Sequence, residues 1–181
     1  PNDCALPRRR ADFATFNEAI DYAALSEKGL NFHDMRGTLE RAYPYRAMRA
    51  DAQQMAYRLV AAGIGPEDRV ALIAETCPEF AALFCACTYV GAWPVPLPLP
   101  TTFGGRDSYI DQLVVQLESA DPALLIYPPE IAEMTKAAAE RVGCKAIDWD
   151  DLAERDAPEV ELPEAKPEDI CYLQYSSGST R

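Results

Sequence analysis

The sequence predicts an α/β fold: a mostly parallel sheet flanked by helices, with a small N-terminal β-hairpin. Three observations carry the prediction. Strand-like and helix-like segments alternate from residue 69 onward. Two strand candidates, Arg69-Val70-Ala71-Leu72-Ile73-Ala74 and Ala123-Leu124-Leu125-Ile126-Tyr127, are nearly continuous apolar runs. Runs of that kind suit strands covered by helices on both faces. Each connection between strands also holds a helical segment, as right-handed parallel crossovers require.

In chain order, Arg8-Arg9-Arg10 reads as a solvated basic triplet in an N-terminal arm, residues 1–12. Thr15-Phe16-Asn17-Glu18 is a capping box in which the Thr hydroxyl and the Glu carboxylate each satisfy an N–H of the first turn. Phe16, Ile20, Ala23 and Ala24 then share one helical face, and Gly29 is the expected helix stop. Leu30–Asp34 and Thr38–Tyr43 flank Arg36-Gly37 and form the hairpin. Pro44 opens a helix running to about Ala62, with Met55, Leu59 and Ala62 turned inward, and Gly63-Ile64-Gly65-Pro66 ends it.

After the first apolar strand, Thr76-Cys77-Pro78-Glu79 reads as a second capping box. The helix that follows aligns Phe80, Leu83, Phe84, Cys87 and Val90. Its other faces hold Ala81, Ala82, Cys85 and Ala86, so it is expected to be deeply buried. In Trp93-Pro94-Val95-Pro96-Leu97-Pro98-Leu99-Pro100, proline at every second position removes the N–H donors from one side. That segment must be extended and can pair fully along one edge only. A proline-rich ligand is the rival reading, and the alternation of Val95, Leu97 and Leu99 favours a place in the sheet.

Thr101–Gly105 is a loop, with ordinary turn chemistry weighed against an anion site ahead of a helix. A helix over about Asp107–Ser119 carries Ile110, Leu113, Val114 and Leu117 inward. The second apolar strand stops at Pro128-Pro129, and Glu130–Val142 is helical up to Gly143. Cys144–Ile147 is a short strand. Asp150-Asp151 is read as capping the short helix Leu152-Ala153-Glu154 in preference to binding a metal. Residues 13–154 thus form an α/β subdomain. Residues 155–169, acidic and marked by Pro158, Pro163 and Pro167, form a linker, and a new strand starts at Ile170.

Composition narrows the function. The formal charge of −12, from 29 acidic and 17 basic residues, opposes a general affinity for nucleic acid, which needs basic surface to displace counterions. No apolar run reaches the length of a membrane span, and the first ten residues lack the apolar stretch of a secretory signal. Six cysteines (Cys4, Cys77, Cys85, Cys87, Cys144, Cys171) include no C-x-x-C pair. They read as reduced, mostly buried thiols of a cytoplasmic protein. His33 is the sole histidine, with no neighbour to orient it as a base.

The candidate site is the terminal stretch. The strand-forming run Tyr172-Leu173-Gln174-Tyr175 leads into Ser176-Ser177-Gly178-Ser179-Thr180. Glycine permits backbone angles that converge successive N–H groups on an anion, and hydroxyls add donors for phosphate oxygens. No Lys follows the glycine, so this is not the Walker loop. The same composition also suits a linker, which would make the chain a non-catalytic α/β binding module.

Three segments together resemble the N-terminal part of the adenylate-forming superfamily, which includes acyl-CoA synthetases, fatty acyl-AMP ligases, luciferase and peptide-synthetase adenylation domains. They are Gly65-Pro66-Glu67-Asp68-Arg69-Val70-Ala71-Leu72, the stretch from Phe80 through Tyr89-Val90-Gly91-Ala92-Trp93-Pro94-Val95-Pro96-Leu97, and Tyr172 through Thr180. The last is similar to the family's phosphate loop, [ST]-S-G-[ST]-T-G-x-P-K-G. Leu173-Gln174-Tyr175-Ser176-Ser177 and the Pro/Thr/Gly segment ending at Arg106 are closest to the fatty acyl-AMP ligase branch. Arg181 stands where most members carry the second glycine.

The resemblance implies a ligase that uses ATP and magnesium to convert a fatty or other carboxylic acid to acyl-AMP. The acyl group then passes to an acyl-carrier protein, or to coenzyme A as the alternative. It implies that Ser176, Ser177, Gly178, Ser179 and Thr180 hold ATP phosphates. The family's chains are considerably longer, and their acid pocket, magnesium carboxylate and catalytic lysine lie beyond Thr180. The sequence is therefore expected to be an N-terminal fragment without activity of its own, holding no catalytic residue and no metal ligand.

Overall fold

The computed structural model describes residue 6 and residues 9–101 and 105–176. Among these, the elements run α1 (Phe16–Ala23), β1 (Gly29–His33), β2 (Leu39–Pro44), α2 (Tyr45–Ala61), β3 (Arg69–Ile73), α3 (Pro78–Val90), β4 (Trp93–Leu97), α4 (Arg106–Ala120), β5 (Leu124–Tyr127), α5 (Ala132–Val142, entered through a 3₁₀ turn over Pro129–Ile131), β6 (Ala146–Asp148) and α6 (Trp149–Ala153). Strands β4-β3-β5-β6 form one sheet in that order, parallel throughout. The hairpin β1–β2 stands apart as an antiparallel pair. The α/β architecture expected from the sequence is present.

Two apolar clusters sandwich the sheet. One joins Val70, Leu72 and Ile126 to α2 and α3 through Met48, Ala52, Ala56, Leu59, Leu83 and Ala86. The other joins Ala71, Ile73, Val95, Leu97, Leu125 and Tyr127 to α4 and α5 through Ile110, Leu113, Leu117 and Ala138. Alternate residues of one strand therefore feed opposite layers, as the pleat dictates. Small residues let α2 approach α3: Ala52, Ala56 and Ala86 are fully buried. In α2 the inward face is Met48, Ala52, Ala56 and Leu59, whereas Met55, expected there, is half-buried at the margin.

Helix ends depart from the sequence reading in three places. Thr15 caps α1 as expected, its hydroxyl accepting from the Glu18 N–H at 3.1 Å, but α1 stops at Ala23 and Gly29 belongs to β1. A Cβ on Gly29 would lie 2.2 Å from the Tyr43 carbonyl oxygen, so the glycine serves a close strand approach and not a helix end. The cap of α3 is Cys77, whose sulfur accepts from the Phe80 N–H at 3.4 Å; Thr76 lies one residue outside. The cap of α6 is Asp148, which accepts from the Asp151 N–H at 2.8 Å. Asp150 and Asp151 sit in the first turn, where carboxylates favour the positive end of the helix dipole. Helix α3 ends on Gly91 at φ 77°, a left-handed cap, and the Gly91 carbonyl accepts from the Glu67 N–H at 2.8 Å.

Near the N-terminus, Arg9 bonds Glu18 at 2.8 Å and lies 4.2 Å from the Phe13 ring centre. Residues 155–169 contain no helix or strand. The expected strand at Ile170 is also absent: residues 170–176 are extended but form no ladder, and the edge of β4 gives the reason.

Candidate functional site at the proline edge of the sheet

Strand β4 has two unequal edges. The Trp93 N–H donates to the Asp68 carbonyl at 2.7 Å, and the Leu97 carbonyl accepts from the Ala74 N–H at 2.8 Å. Residues 93, 95 and 97 therefore direct their backbone groups at β3, and residues 94, 96 and 98 direct theirs outward. All three outward residues are prolines, so the outer edge offers acceptors and no donors. The acceptors are used: the Leu173 N–H donates to the Pro94 carbonyl at 3.0 Å, and the Tyr109 hydroxyl donates to the Pro98 carbonyl at 3.0 Å.

Residues 170–176 run beside β4 in the same direction. Ile170 shares a surface hollow with Gly91 and Trp93 at the start of β4, and Tyr172, Tyr175 and Ser176 share another with Pro96, Leu97 and Pro98 at its end. In a parallel ladder, a residue that donates to position 94 accepts from position 96. Pro96 has nothing to give, so the segment holds one sheet hydrogen bond where a strand would hold two per facing residue. Its side chains nevertheless alternate: Cys171, Leu173 and Tyr175 are half-buried and Tyr172, Gln174 and Ser176 are exposed. Leu173 and Tyr175 pack on the α4/α5 cluster, and the Tyr172 ring lies 5.6 Å from that of Phe84. The Tyr175 hydroxyl donates to the Gln116 carbonyl of α4 at 3.0 Å.

These elements enclose a cleft of about 740 Å³ at the carboxyl ends of β3 and β4, the place where open α/β sheets bind ligands. One wall is apolar, with Phe16, Phe80, Phe84, Tyr172 and Pro96. The other carries Gln112, Gln116, Gln174, Tyr175 and Ser176. This explains why Phe80 and Phe84, expected inside, are only half-buried: they face the cleft. Gln116 is 3% exposed, and its side-chain oxygen has no hydrogen-bond partner among the described residues. The sequence reading missed it. The available signal was a polar residue at a core position of α4, in register with Leu113, Leu117 and Ala120.

Of the expected phosphate-loop residues, Ser176 lies on the rim of the cleft. Ser177, Gly178, Ser179, Thr180 and Arg181 lie outside the described residues, as do residues 102–104 of the Thr101–Gly105 loop and Cys4. Among the described residues, Cys77, Cys85, Cys87, Cys144 and Cys171 are free thiols. Burial pushes the Cys85 thiol up to about 12 and raises that of Cys171, so neither is an activated nucleophile near neutral pH. No cluster of His, Cys, Asp or Glu among the described residues could hold a metal, and His33 is exposed on β1. None of the described helices is long and apolar enough to cross a membrane.

The AMP-binding enzyme family matches residues 21–180. The chain belongs to that family. Its match ends on Thr180, so the serine-glycine loop lies within it. A putative acyl-CoA synthetase from Caulobacter vibrioides is 43% identical over 176 residues, covering 96% of this chain and 30% of the relative. A feruloyl-CoA synthase from an Amycolatopsis species is 33% identical over 143 residues, covering 77% of this chain and 26% of that protein. Among solved structures, one from work on fatty acyl-adenylate ligases of E. coli and L. pneumophila is 42% identical with a TM-score of 0.89, covering 96% of this chain and 32% of that one. The AMP-binding chain thus spans less than a third of the length of these relatives, and its α/β architecture is that of the N-terminal region of an adenylate-forming enzyme.

Proposed function

We propose that the parent protein is an ATP-dependent ligase that activates a carboxylic acid, in the first instance a fatty acid, as acyl-AMP and delivers the acyl group to a carrier-protein thiol. The carboxylate oxygen attacks the α-phosphorus of ATP, a new P–O bond forms, and pyrophosphate leaves with the electrons of the bond it shared. Charge grows on that pyrophosphate as the bond breaks, so fixed N–H and O–H donors around it help most in the transition state.

In this reading Ser176, Ser177, Gly178, Ser179 and Thr180 hold the β- and γ-phosphates. Residues 13–154 are the scaffold, 155–169 connect, and 170–181 carry the segment beside β4 and the loop. The carrying observation is the position of Ser176 on the rim of a cleft at the carboxyl ends of β3 and β4, in a chain whose family match runs through Thr180. The described residues offer no carboxylate cluster for magnesium, so no step is assigned to that ion. The acid pocket and the remaining reacting groups belong to the part of the parent outside this chain, and residues 1–181 alone are expected to be inactive.

Carrier protein is favoured as acceptor by the likeness to the fatty acyl-adenylate ligase structure. Coenzyme A is the second reading, favoured by the name of the Caulobacter relative. Supplying each thiol separately to the full-length protein distinguishes them by which thioester forms. The activation step is tested by acid-dependent exchange of pyrophosphate into ATP. Ser179→Ala with Thr180→Ala in the full-length protein is expected to slow exchange by about 10²-fold, the scale of losing a transition-state donor. An exchange rate unchanged by both substitutions overturns the assignment of the loop.

A further inference from the structure

We propose that the cleft between α3, α4 and residues 170–176 binds an uncharged aromatic group that carries an amide or a hydroxyl, with Gln116 as its hydrogen-bonding partner. This goes beyond the ligase reading and does not depend on it, because the walls are all described residues and the test uses no ATP.

Charge narrows the ligand first. A quarter of the chain is charged, yet among the described residues no charged side chain lines this cleft. Other hollows differ: one is ringed by Arg9, Arg46, Arg49, Glu18 and Asp21, and another by Arg41, Arg58, Asp51 and Glu79. A carboxylate or phosphate group drawn into the uncharged cleft would lose its water and gain no counter-charge. At about 740 Å³ the cleft has the size usual for small-molecule sites.

The two walls then specify the chemistry. Between ring centres, Phe84 lies 5.9 Å from Phe16, 6.2 Å from Phe80 and 5.6 Å from Tyr172. Helices α1 and α3 and residues 170–176 thus share one aromatic face, on which a further ring packs edge-on or offset. The opposite wall holds Gln116, 3% exposed, whose Oε1 accepts no hydrogen bond among the described residues. Its neighbour in the cleft, Gln174, already uses its Oε1 to accept from the Tyr172 hydroxyl at 3.3 Å. A buried acceptor without a donor costs stability, and an N–H or O–H carried in by a ligand removes that cost. A carboxylate brings only acceptors, so it fails at Gln116 as well as on charge.

The test uses the full-length protein and two probes of one shape, benzamide and benzoate, with toluene as the ring alone. Binding is read by calorimetry and by saturation-transfer NMR. Benzamide is expected to bind with a Kd of about 1 mM, the scale for so few atoms, and benzoate at least about 10-fold more weakly. Gln116→Leu is expected to weaken benzamide about 3- to 10-fold, the range one hydrogen bond spans, and to leave toluene unchanged. Its thermal midpoint is expected to stay level or rise, because the substitution removes an unpaired polar atom. A merely structural glutamine gives the opposite pattern, a lower midpoint with benzamide binding unchanged. Should Gln116→Leu not fold, Gln116→Met, closer in shape, repeats the measurement. Benzamide and benzoate binding equally, or benzamide binding unaltered by either substitution, overturns the proposal. Absence of benzamide binding also overturns it, and shows that the cleft is filled by other parts of the full-length protein.

Discussion

Strand β5 and the segment 170–176 are built from similar residues and end up in opposite states. Leu124-Leu125-Ile126-Tyr127 is buried at every position, paired to β3 on one side and β6 on the other. Tyr172-Leu173-Gln174-Tyr175 has comparable strand propensity, yet it makes one backbone bond to the sheet and alternates between half-buried and exposed. The difference lies in the neighbour. β5 faces strands with a full complement of donors, and the segment faces prolines. Strand formation is thus a property of the pair, and a β-prone run beside a donor-free edge remains an extended strap.

The contrast is tested most severely by truncating one leucine on each side. Leu125 is fully buried in β5, and Leu125→Ala is expected to cost about 3 kcal/mol in urea unfolding, the usual loss for a core cavity. Leu173 is half-buried, and Leu173→Ala is expected to cost about 1 kcal/mol or less, because water can reach the space left behind. Equal costs would mean that the strap is as much a part of the core as β5. A smaller effect probes the cause directly. Pro96→Val restores an N–H opposite the Leu173 carbonyl and should complete one rung. The expected gain is about 0.5–1.5 kcal/mol, offset in part by the greater freedom of the unfolded chain. A newly protected amide at position 96 in hydrogen exchange would report it, and an amide at position 96 that exchanges freely would show that the prolines are not what keeps the segment out of the sheet.

The proline edge also shows how much of the molecule could be read in advance. The alternation Pro94, Pro96, Pro98 was enough to say that β4 pairs along one edge, and it does. The apolar runs at β3 and β5 were enough to say that both are covered on two faces. What failed was the next inference. The residues at 170–175 were read for their own propensity, without asking what the already assigned edge could offer them. The same limit explains the helix ends: Gly29 carries a helix-stop signal, but its neighbour across the hairpin, Tyr43, claims it. At the candidate site, the serine loop is legible as a motif, whereas Gln116 and the rings of Phe80 and Phe84 become parts of a cleft only when α3, α4 and the strap are brought together. Chain-local chemistry is written in the sequence; which surfaces remain open is settled by packing.

The smallest effect concerns how tightly β5 is enclosed. Tyr127 closes the strand, fully buried, and its hydroxyl has no hydrogen-bond partner among the described residues. Burial, helped by the charges of Asp148 and Asp151, pushes its phenol from the usual 10.0 up to about 12. The folded state therefore holds its proton in a range where the unfolded chain has lost it. Stability from this group is fully present below pH 10 and drains away as pH rises toward 12. Tyr127→Phe removes both features. At pH 7 the variant should be as stable as the original, or more stable by up to about 1 kcal/mol, because a buried hydroxyl without a partner costs more than the hydrogen that replaces it. Between pH 10 and 12 its stability should fall less steeply, by one proton's worth of slope. Urea unfolding across that range separates the outcomes: a variant less stable at pH 7 with an unaltered alkaline slope would show that the Tyr127 hydroxyl is satisfied after all, and that β5 is less closed than its burial suggests.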